Sequence, residues 1–279
     1  MASAVTDPWS TEHAASFVPK LATKIMQWLD PQKDDVILDV GCGDGILDVQ
    51  ISQILAHGQG RLHGIDSSGA MIEAARGKAA ADAKARKVEE RCTFEVLDAT
   101  SLIHTPNLQT QQFTKIFSNA ALHWILRPEA QREALFRGVQ NALVPGGSFT
   151  FEMGGLGNVA EIRSALLLAI GRRVGLARAQ EVDPWFFPDE GWVRRMLEQT
   201  VGGWAVERVE REWRPTAADE GGVEGWVRLM AHQFFLALPE GEREAAVKEV
   251  VDVLEIICAR PGGGYMYNYV RLRVLARKL

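Results

Sequence analysis

Apolar residues in the first half of the chain recur with two different periods, which separate predicted helices from predicted strands. Between residues 10 and 29 the apolar positions, including Phe17, Ile25 and Leu29, lie three or four residues apart, which predicts a helix. Shorter apolar runs then predict buried strands at residues 36–40, 61–65, 92–97, 113–118 and 148–153. Helices are predicted between them at residues 46–55, 68–85 and 128–143. Because strands that alternate with helices form a parallel sheet with helices on both faces, an α/β, doubly wound fold is predicted.

Beyond Met153 the alternation becomes less regular. Helices are predicted at residues 158–174, 190–199, 223–236 and 242–258, and residues 204–213 and 265–275 alternate like strands. The last two strands can complete the sheet edge as an antiparallel pair, which gives seven strands, mostly parallel, with a helical cap. The predicted domains are an N-terminal helical lid (1–34), a ligand-binding core (35–153), and helical cap insertions plus C-terminal strands of the same sheet (154–279).

The composition is that of an ordinary globular protein. Hydrophobic residues make up 47% of the 279 positions, and a net charge of −5 offers no general attraction for nucleic acid or anionic membrane. The three cysteines lie far apart and the six histidines show no metal-ligand spacing, so neither a disulfide framework nor a metal site is expected. The N-terminal residues lack the basic start and apolar run of a signal peptide. We therefore expect a cytoplasmic protein without nucleic-acid or membrane partners, and the oligomeric state stays open.

The stretch VILDVGCGDGIL, residues 36–47, is the first candidate for binding chemistry. Its glycines follow a predicted strand, and in an open parallel sheet ligands bind beyond the carboxyl ends of the strands. A dinucleotide loop of the G-x-G-x-x-G type would need glycine where Ile46 stands, and no Gly-Lys-Ser/Thr follows to make a P-loop. Asp39 and Asp44 would also repel a pyrophosphate. They suit a ligand that carries an ammonium and a sulfonium, such as S-adenosylmethionine.

Polar residues at the ends of the next three strands fit the same ligand. LHGIDSS ends the second strand at Asp66, whose carboxylate can accept hydrogen bonds from both ribose hydroxyls. FEVLDAT ends the third strand at Asp98, which could accept the adenine amino group. FSNAALHWIL ends the fourth strand at Asn119 and Ala120, which would face the methyl donor. Structural alternatives stay open, since Asp66 can cap the following helix and Asp98 can be an ordinary turn residue.

In this order and spacing, the segments resemble the class I S-adenosylmethionine-dependent methyltransferases. The resemblance rests on VILDVGCGDG, GIDSS, VLDAT, FSNAALHW and LVPGGSF and covers about residues 35–153. Within that superfamily, SNAALHW, MGGLGNVAEIRSAL and YVRLRVLARK are similar to the trans-aconitate methyltransferase-like group, particularly its fungal members. The resemblance implies a Rossmann-like sheet and S-adenosylmethionine as the cofactor.

The resemblance also implies roles for individual residues. Gly41 and Gly43 would line the methionine portion, and Asp39 would orient the loop or bind the ammonium through water. Ala99 would join Asp98 at the adenine, and the end of the fourth strand would run along the methionine backbone. The full implied cofactor set is Asp39, Gly41, Gly43, Asp66, Ser67, Met71, Asp98, Ala99, Asn119 and Ala120.

Candidate residues for binding the molecule that accepts the methyl group follow the fourth strand or lie outside the predicted ligand-binding core. His123 could act as a base or hydrogen-bond partner, because its charge changes near neutral pH. Trp124 could be a substrate wall or a core residue, and Arg163 could anchor a carboxylate or lie on a solvated helix face. The family's aromatic lid residue has no sharp motif here, and Trp9 or Phe17 could serve.

The predicted function is methyl transfer from S-adenosylmethionine to a small-molecule acceptor, with a carboxylic acid similar to trans-aconitate as the first choice. A hydroxyl or amine of a secondary metabolite is the alternative acceptor. Outside enzymes, the alternative is a cofactor-binding module that does not transfer methyl. A nicotinamide-dependent oxidoreductase is disfavoured by Ile46 and by the N-terminal helical leader.

Overall fold

The computed structural model describes residues 23–86 and 91–279. Within these residues a seven-stranded sheet comprises β1 (Val36–Val40), β2 (Arg61–Asp66), β3 (Cys92–Val96), β4 (Phe113–Asn119), β5 (Leu143–Gly154), β6 (Trp204–Ala217) and β7 (Met266–Lys278). The strand order is β3-β2-β1-β4-β5-β7-β6, so the order along the sheet reverses beside β1. The predicted doubly wound, seven-stranded sheet is confirmed, and β1 stands at the switch point where ligands bind in such sheets.

The helices of the described residues are α1 (Thr23–Leu29), α2 (Ile46–Leu55), α3 (Gly69–Arg86), α4 (Leu122–Ile125), α5 (Arg132–Ala142), α6 (Ala160–Val174), α7 (Leu176–Glu181), α8 (Glu190–Arg194), α9 (Gly222–Met230), α10 (His232–Leu236) and α11 (Glu240–Ile257). A π-helical turn, Arg195–Val201, extends α8. The helix predicted at 223–236 is interrupted at Ala231. Of the helix predicted at 10–29, only the part from Thr23 lies within the described residues. No helix of these ranges combines the length and the apolar character needed to cross a membrane.

Parallel pairing fixes the ends of β1, β2 and β4 at one edge of the sheet. Val36 of β1 lies opposite Arg61 of β2, and Ile37 lies opposite Lys115 of β4. β5 pairs with β4 in parallel, with a register shift at the VPGG segment. The sequence pattern predicts that this segment precedes the strand. The strand instead begins at Leu143, five residues earlier than predicted.

The last two strands pair antiparallel, as predicted. The Leu279 amide donates to the Gly203 carbonyl at 3.0 Å, beside the C-terminal end of β7 and the start of β6. The Ala218 amide donates to the Tyr265 carbonyl at 3.0 Å, beside the opposite ends of the same strands. The residue numbers rise along one strand as they fall along the other, which defines antiparallel pairing.

The chain divides into two compact units. The first contains the described residues up to Met153 together with Pro188–Glu210 and Leu272–Leu279. The second contains Gly154–Phe187 and Arg211–Arg271. The whole predicted cofactor set belongs to the first unit.

The core of the first unit holds β1 rigidly. Ile37, Leu38 and Val40 of β1 have no solvent exposure, and Ile25 and Leu29 of α1 join the same buried apolar cluster as Ile37. Each such side chain contributes about 1.5–3 kcal/mol through burial. The loop that follows β1 therefore starts from a fixed strand end.

The second unit has an aromatic core of its own. The ring of Trp185 lies 5.9 Å from Phe187, 6.1 Å from Trp226 and 5.8 Å from Phe234, measured between centroids. Trp226 donates through Nε1 to the Tyr269 hydroxyl at 2.6 Å, which satisfies a buried indole. Gly154–Phe187 and Arg211–Arg271 therefore form a packed body with its own core.

Candidate cofactor and active site

The loop between β1 and α2 adopts a conformation that glycine tolerates best. Gly41, Gly43 and Gly45 have φ angles of 77°, 56° and 71°, in the left-handed region. The amides of Gly41 and Cys42 both donate to the Ile65 carbonyl of β2, at 2.8 and 3.1 Å. The loop is therefore fastened to the neighbouring strand at its start.

The surroundings of the three glycines differ. A Cβ on Gly41 would overlap the Cβ of Ala121, and a Cβ on Gly45 would lie 2.8 Å from the Cβ of Ala75. A Cβ on Gly43 would have no atom within 4 Å. Gly41 and Gly45 thus permit close packing of the chain, whereas Gly43 borders open space into which a ligand can fit.

Asp66 connects the end of β2 to this loop and to α3. Its Oδ2 accepts a hydrogen bond from the Gly43 amide at 3.0 Å, and its Oδ1 accepts one from the Ser68 amide at 2.9 Å. Each carboxylate oxygen has a second lone pair, so hydroxyl groups of a ribose can also be accepted. The exposed Ser67 and the half-buried Met71 lie at the same turn. Both roles considered for Asp66, helix capping and ligand binding, are compatible with this geometry.

Asp98 caps a short 3₁₀ turn that follows β3. Its Oδ1 accepts hydrogen bonds from the amide and the hydroxyl of Thr100, at 2.9 and 2.8 Å. The side chain of Asp98 is exposed, while Ala99 is buried. The structural role is therefore present, and the adenine contact stays a prediction.

The end of β4 carries two features that fit a binding site. Ala120 has a φ of 58°, a left-handed conformation that costs a non-glycine residue about 1–2 kcal/mol, and its amide donates to the Glu152 carbonyl at 2.8 Å. Asn119 Oδ1 is buried without a hydrogen-bond donor among the described residues. An unsatisfied buried acceptor costs about 1–3 kcal/mol, which a ligand donor would recover.

The short helix α4, which follows the end of β4, carries His123 and Trp124. His123 is buried, and its ring centroid lies 5.4 Å from that of Trp124 at an interplanar angle of 39°. Ala121, directly before α4, packs against Gly41 of the glycine loop. His123 and Trp124 therefore follow directly after the point where the loops after β1 and β4 meet. Their roles in binding the methyl acceptor stay predictions.

Arg163 belongs to α6 of the second unit and has a protein partner. Its Nε lies 2.6 Å from Oδ2 of Asp183, which is 2% exposed, and its guanidinium lies 5.8 Å from the ring centroid of Phe187. Its charge is thus matched by a buried carboxylate. The other predicted acceptor residues, Trp9 and Phe17, lie outside the described residues.

Sequence reasoning missed Asp48, which lies in the first turn of α2 and is fully buried. Burial, partly offset by a hydrogen bond with the Asp39 carboxyl, raises the pKa of Asp48 to about 7. Burial and the negative charge of Asp48 also hold the pKa of Asp39 well above its usual range. The available signal was an acidic residue on the helix face formed by Leu47, Ile51 and Leu55.

The thiol of Cys42, inside the glycine loop, is expected to be unreactive. Burial first, and then the charges of Asp48, Asp39 and Asp66, raise its pKa far above the ordinary value. Since the thiolate is the reactive form, alkylation of Cys42 by iodoacetamide at pH 8 should be at least about tenfold slower in folded than in urea-unfolded protein. Peptide-resolved mass spectrometry measures both rates, and equal rates would contradict the buried, neutral thiol.

Comparison with known proteins decides the family. Residues 37–147 match the family described as Methyltransferase domain. An uncharacterised methyltransferase of Schizosaccharomyces pombe is 34% identical over 282 residues, with 98% of each chain covered. The chain belongs to the S-adenosylmethionine-dependent methyltransferases. The predicted family, its fungal likeness, the enzyme class and the cofactor are thereby confirmed.

Solved structures of other methyltransferases share this fold. A S-adenosylmethionine-dependent methyltransferase from Methanosarcina mazei has a TM-score of 0.56 at 17% identity, over 93% of this chain and 98% of that one. Geranyl diphosphate C-methyltransferase from Streptomyces coelicolor, solved with S-adenosylhomocysteine, has a TM-score of 0.51 at 15% identity, over 94% and 77% of the two chains. These likenesses confirm the Rossmann-like methyltransferase sheet.

The residues of this methyltransferase fit S-adenosylmethionine. Gly43 borders open space, and Asp66 is held beside it at the end of β2. Asn119 offers a buried acceptor at the end of β4. Open space, a carboxylate and an unused acceptor therefore occur at the ends of neighbouring strands.

Proposed function

We propose that this methyltransferase acts on a small-molecule acceptor and that the accepting atom is a carboxylate oxygen, as in an acid similar to trans-aconitate. The strand-end geometry of Gly43, Asp66 and Asn119 supports methyl transfer as the activity. Similarity of the SNAALHW and MGGLGNVAEIRSAL segments to the trans-aconitate methyltransferase-like group supports the acid. A hydroxyl or amine of a secondary metabolite is the alternative acceptor.

In this reaction the protein aligns the acceptor with the methyl donor and excludes water from the site. S-adenosylmethionine supplies a methyl group already activated on a sulfonium. Gly41 and Gly43 shape the loop beside the methionine portion, and Asp66 fixes the ribose. Trp124 and the buried His123 border the acceptor and keep water away from it. Holding two reactants in line can account for about 7–11 kcal/mol of a reaction barrier, so an obligatory catalytic pair of residues is not required.

We assign acceptor selection to the N-terminal residues 1–34 and to the second unit. Arg163 is the candidate carboxylate anchor of that unit. Its ion pair with Asp183 uses Nε, and the remaining guanidinium nitrogens carry four further N–H donors, enough for a bidentate contact with an acid.

The acceptor class is tested by incubating the protein with labelled S-adenosylmethionine and a panel of di- and tricarboxylic acids, phenols and amines. We expect label in a product that mild base hydrolyses to methanol, because methyl esters hydrolyse and methyl ethers or methylamines do not. Mass analysis then identifies the acid. Label in a base-stable product would establish the hydroxyl or amine alternative, and absence of transfer to the whole panel would favour the cofactor-binding module.

Replacing His123 with glutamine separates the same classes kinetically. A carboxylate is already ionised at pH 7, so His123→Gln should lower turnover less than about tenfold, and the wild-type rate should change little between about pH 6 and 8. A hydroxyl or protonated amine would need a base, whose loss costs about 10²- to 10⁴-fold. Turnover against pH at saturating substrates measures this, with Trp124→Phe as the neighbouring control. A steep limb that disappears in His123→Gln would contradict the carboxylate proposal.

A further inference from the structure

Two carboxyl groups flank the glycine loop and contact each other. Asp39, near the end of β1, is 3% exposed, and Asp48, in the first turn of α2, is fully buried. The two side chains lie within hydrogen-bonding reach of each other. Since an ionised carboxylate only accepts hydrogen bonds, one of the two must carry a proton for a hydrogen bond between them to form.

Other described residues supply this pair with neither donors nor positive charge. Asp39 Oδ1 and both carboxyl oxygens of Asp48 are buried without a hydrogen-bond donor among the described residues. Lys78, on α3, forms its ion pair with Asp44 instead. No metal-binding group of three or more His, Cys, Asp or Glu side chains occurs within residues 23–86 and 91–279. The titratable groups that interact electrostatically with the pair are Cys42, Asp44 and Asp66. Cys92 Sγ donates to the backbone carbonyl of Asp48, and Ser118 Oγ donates to that of Val40.

Electrostatics requires a counter-charge at this place. Two ionised carboxylates in contact within a low-dielectric interior repel each other, and carboxyl pairs of this kind retain one proton between them. The raised pKa of each group, through burial and the neighbouring negative charges, agrees with that expectation. A fixed positive charge placed beside the pair would remove the need for the proton.

A second observation points to a ligand that brings such a charge. Asp39 lies opposite Phe117 in the pairing of β1 with β4, and Asn119 is two residues further along β4. Asp39 Oδ1 and Asn119 Oδ1 are both buried acceptors without donors among the described residues. Neighbouring strands thus end in two unused acceptors, and an ammonium group offers three donors and a positive charge.

Building on the proposed function, we propose that Asp39 and Asp48 share one proton in the cofactor-free protein and that binding of the cofactor's α-ammonium group releases it. One carboxyl O–H bond breaks, its electron pair stays on the carboxylate, and the proton passes to solvent. Nothing is oxidised or reduced. Asp48 is a positioning residue in this account, because it acts on the cofactor through Asp39.

Calorimetric titration in buffers of different ionisation enthalpy tests the release, since the apparent heat then varies with the number of protons released. We expect about one proton at pH 7 when wild-type protein binds S-adenosylhomocysteine. We expect none with 5′-methylthioadenosine, which has the nucleoside and sulfur but no ammonium. Asp48→Asn, which gives Asp39 a neutral amide partner, should still bind S-adenosylhomocysteine within about tenfold of wild type but release no proton.

The pH dependence of folding stability provides a second readout. Because the shared proton is bound more tightly in the folded than in the unfolded protein, stability of the cofactor-free protein should fall as the pH rises from about 5 to 9. Asp48→Asn should remove most of that dependence, and Asp48→Ser serves as the second variant if the amide destabilises the fold.

The outcomes separate this inference from the function on which it rests. Binding of S-adenosylhomocysteine without proton release by wild type would overturn the shared proton and leave the methyltransferase function intact. Release that persists in both Asp48 variants would overturn the role of Asp48. Failure of wild-type protein to bind either sulfur ligand would instead overturn the proposed cofactor site itself.

Discussion

Replacing Gly41 with alanine is expected to abolish cofactor binding and to destabilise the protein by about 2–5 kcal/mol. The left-handed φ of 77° costs alanine about 1–2 kcal/mol, and the added Cβ overlaps the Cβ of Ala121 at about 1–3 kcal/mol for overpacking. The clash lies where the glycine loop meets the segment before α4. Urea unfolding and calorimetric titration with S-adenosylhomocysteine measure the two effects.

Gly43→Ala is the matched control for this prediction. It has a similar φ of 56° but no atom within 4 Å of the added Cβ, so only the conformational cost of about 1–2 kcal/mol remains. If the open space at Gly43 holds the cofactor, this variant should lose affinity strongly while it keeps most of its stability. Wild-type affinity in Gly43→Ala would show that the cofactor lies elsewhere.

Asp66→Ala is expected to weaken cofactor binding by about 1.5–3 kcal/mol, which is roughly 10- to 150-fold. The substitution removes the carboxylate assigned to the ribose. It also removes the acceptor for the amides of Gly43 and Ser68, at 3.0 and 2.9 Å, so the loop loses one of its ties to β2. Titration calorimetry and thermal unfolding of the same preparations measure affinity and stability side by side.

Asp66→Asn distinguishes the charge from the shape of this side chain. The amide keeps one oxygen as an acceptor but loses the negative charge, so affinity should fall while the fold is largely retained. A change in affinity below twofold in Asp66→Ala, together with a sharp fall in melting temperature, would identify Asp66 as a helix cap and contradict the ribose assignment.

Strands and the glycine loop could be predicted because their signals are local. Four of the five residues of Val36–Val40 are apolar, and the positive φ angles at Gly41, Gly43 and Gly45 explain why glycine recurs at every second position. The sequence pattern alone predicts too late a start for β5. The VPGG segment has the composition of a turn, but a register shift against β4 admits it into the strand.

Features that depend on distant partners could not be predicted from the sequence. The sequence suggests Arg163 as a carboxylate anchor, but nothing near it in the sequence indicates that Asp183, twenty residues later, accepts a hydrogen bond from its Nε. Asp48 lies on the face of α2 that turns towards the core, and its contact with Asp39 depends on how α2 packs on β1. Local periodicity predicts elements, whereas such pairs depend on packing between them.

The measurement that tests the account most directly is calorimetric titration of wild-type protein with S-adenosylmethionine, S-adenosylhomocysteine and NAD under the same conditions. The acidic glycine loop favours an ammonium and repels a pyrophosphate, so both sulfur ligands should bind at a single site and NAD should give no comparable heat. Tight binding of NAD, with no response to either sulfur ligand, would contradict the assignment of the glycine loop to S-adenosylmethionine.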